Sequence, residues 1–192
     1  MPRLRALLAI PALAAGISAP AAAEVRGAVS PRVSDLVTGL FCAPEDAERR
    51  PAPGTIAGWV HISAEPIVMR VETDVAPMVL GTGFGVSYRL DGEGLVALRY
   101  TVVHPPIPPS NMTTETWTSQ QLAGDSDSFF FQFDTPQEMQ PGEWLLSAEA
   151  DGEPLFTVAV TVLPASDLPE LAHLCRSGDL LSLSRADPSA TG

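Results

Sequence analysis

Gly81-Thr82-Gly83-Phe84-Gly85-Val86-Ser87-Tyr88-Arg89-Leu90 places Phe84, Val86, Tyr88 and Leu90 at every second position, with glycine, serine or arginine between them. That period of two belongs to a strand with one buried face. The same alternation recurs downstream. Val96, Leu98, Tyr100 and Val102 share a face, as do Phe129, Phe131 and Phe133, then Trp144, Leu146, Ala148 and Ala150, and finally Phe156, Val158, Val160 and Val162. Acidic, glycine-bearing turns separate them, at Asp91-Gly92-Glu93-Gly94, Gly124-Asp125-Ser126-Asp127 and Asp151-Gly152-Glu153. Short strands with regular turn signals predict an all-β fold. Two antiparallel sheets packed face to face, an immunoglobulin-like β-sandwich, are the expected architecture. The Asp91–Gly94 turn reads as a hairpin. His104-Pro105-Pro106-Ile107-Pro108-Pro109 reads as a break, because proline brings no N–H to a ladder. The polar, threonine-rich run Asn111–Gln121 around Trp117 reads as an edge strand.

Outward from this core (79–163), residues 24–78 form a lead-in and 164–192 a tail. In the lead-in, Val33, Leu36, Val37 and Leu40 follow helical spacing. Residues 42–54 are a hydrophilic loop, and Ile56–Ile62 and Pro66–Thr73 are strands, Trp59 and His61 sharing a face. The tail predicts a short helical piece over Asp167–Cys175. Residues 1–23 carry the features of a cleaved signal peptide: Arg3 and Arg5, an apolar run over Ala6–Ile17, and small residues before Glu24. The protein is therefore expected to be exported, to the periplasm or the medium, with no transmembrane segment in the mature chain. Cys42 and Cys175, the only cysteines, are then expected to form a disulfide.

The chain has 192 residues and a net charge of −12, and its basic residues are all arginine. Losing residues 1–23 removes two of the eleven, leaving nine arginines against 23 acids. No basic cluster exists to release counterions from a phosphate backbone, which argues against nucleic-acid binding.

Phe133-Asp134-Thr135-Pro136-Gln137-Glu138-Met139-Gln140-Pro141-Gly142-Glu143-Trp144, preceded by Leu80-Gly81-Thr82-Gly83-Phe84-Gly85 and Val103-His104-Pro105-Pro106, resembles the bacterial family called domain of unknown function 3859. The resemblance covers about Val75–Leu163 and, more loosely, the region back to Glu24. It implies a small exported β-rich protein and brings no catalytic residues with it.

No motif assigns chemistry. Gly81, Gly83 and Gly85 alternate along a strand, and without lysine there is no phosphate-binding P-loop. They suit close approach of a ring, a backbone or a ligand. His61, His104 and His173 lack metal-ligand spacing, so no metal and no cofactor is expected. Asp125 and Asp127 form a solvated turn, with Asp134 nearby. The function expected is a non-enzymatic binding or interaction module with a protein or cell-envelope partner. Its surface would include His104, Trp117, Gly81, Gly83 and Gly85, with strand addition at the Asn111–Gln121 edge. No catalytic residue is assigned. The alternative is a small metal-dependent or hydrolytic enzyme using His104 with the Asp125/Asp127 turn.

Overall fold

In the computed structural model, which describes residues 25–26, 28–43, 48–63 and 67–175, nearly all ordered elements are strands. Four of them, β1 (Val33–Cys42), β4 (Val71–Glu72), β6 (Thr82–Leu90) and β9 (Ser126–Gln132), make one sheet in the order β4-β1-β6-β9. Five others make the second sheet: β5 (Val75–Pro77), β7 (Leu95–Ile107), β8 (Met112–Leu122), β10 (Gly142–Ala150) and β11 (Glu153–Leu163). Their order is β5-β11-β10-β7-β8, antiparallel except for the β11–β5 pair. The remaining strands, β2 (Glu48–Pro51) and β3 (Trp59–Ile62), form a separate antiparallel hairpin. The two larger sheets pack face to face as a β-sandwich, the architecture that immunoglobulin-like domains share.

The alternating residues do what their period dictates. Phe84, Val86, Tyr88 and Leu90 are buried from one sheet, and Val96, Leu98, Tyr100, Val102, Trp144, Leu146, Phe156, Val158 and Val160 from the other. At its centre Trp144 meets Phe84, Phe131 and Phe133 at ring separations of 5.5, 4.7 and 5.9 Å.

The glycines of β6 serve the opposite, outward face. A Cβ at Gly83 would run into the Phe41 ring, and one at Gly85 into the backbone of Phe129 and Phe130. Phe41 and Phe130 meet edge to face at 4.8 Å. Two rings from the flanking strands thus lie across a strand stripped of side chains. Gly81 differs: its φ of +78° requires glycine, and its Cβ position is open.

Several local expectations give way. Val33–Cys42 is a strand, not a helix, with a register shift between Ser34 and Val37 where Asp35 takes a φ of 52°. That bulge moves the inward face by one position and imitates helical spacing. Residues 48–51, read as loop, pair with 59–62, and among the described residues of the 66–73 run only Val71–Glu72 is strand. Asp91–Gly94 is not a hairpin, because it carries the chain from β6 in one sheet to β7 in the other. β7 itself runs on through Pro105 and Pro106. The ladder shifts register between Val103 and Ile107, so no donor is demanded of the prolines. The tail helix α1 spans only Pro169–Ala172. Cys42 and Cys175 are disulfide-bonded, with Cα atoms 5.2 Å apart. Among the described residues no helix is long and apolar enough to cross a membrane; the leader segment lies outside them.

Candidate functional site

β8 and β9 are the last strands of their sheets, and they lie on the same side of the sandwich. Phe129 of β9 stacks on Tyr100 at 4.4 Å and meets Trp117 edge to face at 5.5 Å. The β2–β3 hairpin straps this open side. Thr116 N–H donates to Gly54 O (3.0 Å), Arg50 Nη2 to Thr118 O (3.2 Å), and Ile56 N–H to Glu115 Oε2 (2.9 Å). On the β9 side His61 Nε2 sits 2.9 Å from Asp134 Oδ2. Between strap and sandwich lies a cleft of about 160 Å³. Trp59, Trp117 and Phe129–Phe131 give it aromatic walls, and Glu115, Asp127, Asp134 and Glu138 give it carboxylates.

Each carboxylate is held. Asp134 accepts Gln132 Nε2–H at 2.8 Å. Glu138 Oε2 accepts the N–H groups of Asp134 (2.7 Å) and Thr135 (2.9 Å), closing the turn Pro136–Glu138. The T-x-x-E spacing of Thr135 and Glu138 is the mark of such a turn. Burial pushes the Glu138 carboxyl above its usual range, against the pull of these two N–H groups.

Asp127 ends a chain of contacts that can be counted in protons. Tyr100 Oη lies 3.0 Å from Asp127 Oδ2 and 2.7 Å from Tyr88 Oη, and Tyr88 Oη lies 2.9 Å from Gln121 Oε1. Gln121 offers only its acceptor here, since its Nε2 donates to Asp125 O. Three oxygen–oxygen bonds need three protons, and the two phenols supply two. Burial drives both phenols far above the usual tyrosine value, so they stay neutral donors. All three bonds form at once only when Asp127 carries the third proton; burial raises its carboxyl, against the hydrogen bonds that Ser128 N–H and Tyr100 donate to the ionised form. A raised native pKa means that the folded chain keeps a proton the unfolded chain releases. Its contribution is whole below the ordinary carboxylate pKa of about 4 and is lost as pH rises through the raised value. Asp127→Asn copies the protonated form, with Nδ2–H donating to Tyr100. Urea unfolding across the acid-to-neutral range is expected to show wild-type stability falling with pH by up to about one proton's slope relative to Asp127→Asn. Parallel curves would refute the proton count.

The residues expected from sequence scatter. Trp117 lines the cleft and is half-buried. His104 is not a surface residue: its side chain has no exposure, its ring stacks on Trp144 at 4.8 Å, and Nδ1 donates to Pro105 O. It stands behind Glu115, with Nε2 3.3 Å from Oε1. His104 therefore does not share a site with the Asp125/Asp127 turn. Asp127 faces the cleft, whereas Asp125 is exposed and lends its carbonyl to Gln121. Gly83 and Gly85 are buried, Gly83 under the Phe41 ring and Gly85 against the backbone of Phe129 and Phe130. Along β8 the outward edge is already taken at Thr116 and Thr118 by Gly54 and Arg50. No group of three or more His, Cys, Asp or Glu among the described residues is placed to hold a metal ion. Trp59, His61 and Asp134 were individually visible as strand and turn residues; their convergence was not.

No curated protein matches the chain. A solved immunoglobulin-like protein from Pseudomonas aeruginosa aligns over 74% of this chain and 99% of its own, at 22% identity and a TM-score of 0.47. The model of one family, described as a domain of unknown function (DUF3859), matches residues 29–162, from just before β1 to the end of β11. The chain belongs to that family.

Proposed function

We propose that this protein is an exported, non-enzymatic binding module, and that the cleft beneath the β2–β3 strap is where it binds. The observation that carries this is the cleft's composition. Aromatic walls with a few fixed polar groups characterise ligand sites, whereas a sandwich edge needing only closure would be packed dry. An intramolecular strap also suits binding without chemistry. The carboxylates are committed to backbone N–H groups, phenols and His61. The signal-like leader and the disulfide support export to an oxidising compartment. The partner is a component of the cell envelope or its surroundings, presented as a group small enough for the cleft.

Ala57 is exposed on the strap and lines the cleft, so Ala57→Trp is expected to plug the mouth without touching the core. The mature, disulfide-intact protein would be equilibrated with the small-molecule fraction of its own envelope extract and examined by native mass spectrometry. Wild type is expected to retain a ligand that Ala57→Trp fails to retain, by at least about tenfold, with melting temperatures alike. Equal retention, or none by either protein, would sink the proposal.

A further inference from the structure

The cleft holds more acceptors than it can satisfy. Its charged lining sets Glu115, Asp127, Asp134 and Glu138 against Arg50 and His61. Both are committed, Arg50 to Thr118 O and His61 to Asp134. Gln132 adds to the imbalance. It lines the cleft at only 8% exposure, places Nε2 against Asp134 and His61, and leaves Oε1 with no partner. The assignment of its amide is fixed by Asp134, since an oxygen turned towards that carboxylate would be repelled. A buried acceptor with no donor costs free energy unless something supplies one. The surrounding walls are aromatic faces, which attract cations. The volume is close to the roughly 150 Å³ of an engineered cavity that holds one benzene, so the occupant is a single small group. An anion would meet four acidic side chains. A neutral sugar would leave their charge uncompensated.

We propose that the cleft binds an organic ammonium group, as a free small amine or as the lysine side chain of a peptide. This rests on the cleft being the ligand site. The ammonium donates into the Asp134–Gln132–Asp127 region, and its methylenes lie against Trp59 and Trp117. No lysine of the chain itself competes, because it has none. A cation there displaces the proton that joins Asp127 to Tyr100, so binding strengthens as pH rises. The groups that set this are Asp127 itself, Tyr88 and Tyr100 from the sheets, Glu115 beside them, Asp134 and Glu138 below, and Arg50 and His61 on the strap.

Calorimetry on the mature protein would use three probes: n-pentylammonium, Nα-acetyl-lysine methylamide and the neutral isostere n-pentanol. Either ammonium probe is expected to bind one to one, about tenfold or more tighter than pentanol, since a desolvated charge pair exceeds a neutral contact. Affinity should fall as the pH is lowered through the raised Asp127 value, and by about tenfold in Asp134→Asn. Wild-type protein supplies a readout that needs no variant: the indole signals of Trp59 and Trp117 shift on binding, and that of Trp144 does not. Preference for the lysine derivative would assign a peptide, and preference for the alkylamine a free metabolite. Pentanol binding as tightly as both, or no saturation by either ammonium probe, overturns the ammonium assignment. If the extract then yields a neutral ligand blocked by Ala57→Trp, the cleft remains a binding site of another class. If neither experiment yields cleft-dependent binding, both readings fall.

Discussion

Trp144→Ala is expected to remove about 3–5 kcal/mol of stability, the range for deleting a fully buried large aromatic side chain. Three terms add at this position. Trp144 is completely buried, so its transfer energy is forfeited. Its neighbours Phe84, Phe131 and Phe133 come from the facing sheet and the loop that follows it, and the rigid backbone of a sandwich cannot collapse into the void. The indole N–H donates to Gln140 O at 3.1 Å, and that carbonyl loses its partner. His104 stacks on the same ring and would face the cavity. For a domain of ordinary stability, about 5–15 kcal/mol, such a loss leaves a marginal fold. Equilibrium urea unfolding checks it, with Trp144→Phe as the control that keeps a ring and loses the hydrogen bond. A loss under about 2 kcal/mol would show that the inter-sheet aromatic cluster is not where stability is concentrated.

Much of this core was legible because a half-buried strand writes its two faces into the sequence with a period of two. Phe84, Val86, Tyr88 and Leu90 needed no structure to be placed inside, nor did Trp144, Leu146, Ala148 and Ala150. Where the period broke, the reading broke with it. The bulge between Ser34 and Val37 shifts the phase of β1, so the spacing 33, 36, 37, 40 resembles a helical stripe. Nor does local pattern say which sheet a strand joins. Asp91–Gly94 has the residues of a tight hairpin, and glycines at positive φ let it arch from one sheet to the other instead.

The cleft was illegible for a different reason. Its members come from 50–63, 100, 115–119, 127–134 and 138, and no spacing rule links them. Trp117, Asp127 and Asp134 each drew notice, as an edge aromatic and as turn acids. What unites them is the strap, and β2 was hidden because Glu48-Arg49-Arg50-Pro51 has no apolar alternation. Arg49 lies over the Trp59 ring at 3.9 Å, a cation–π contact that polar composition disguises as loop. His104 drew notice for the opposite reason. A histidine beside prolines reads as a loop residue, and the extension of β7 instead carries it into the interior.

Removing the Cys42–Cys175 bond has the largest expected effect outside the core. The bridge closes a loop across 133 residues, and chain entropy alone assigns it about 5 kcal/mol at 25 °C. A Cys42→Ser, Cys175→Ser double variant is expected to lose about 3–5 kcal/mol in urea unfolding, strain being the term that lowers the figure. There is also a local consequence. The tail helix α1 has four residues, far too few to persist alone. It is held by burial of Ala172, by contacts of Leu171 and Leu174 with the core, and by the bridge. Cys42 directly follows Phe41, the ring that covers Gly83. The bridge therefore clamps the tail next to the aromatic cover of the bare strand. Limited proteolysis separates the two roles. If the bond acts on the unfolded ensemble, the double variant unfolds at lower urea while its tail stays as resistant as wild type's under native conditions. If the tail's docking depends on the bond, cleavage between Pro164 and Cys175 accelerates in native buffer, and part of the stability loss belongs to the exposed Phe41 face. Unchanged unfolding in the double variant would mean that the sandwich is sufficient without its clamp, and that the entropy of so long a loop is already restricted in the unfolded chain.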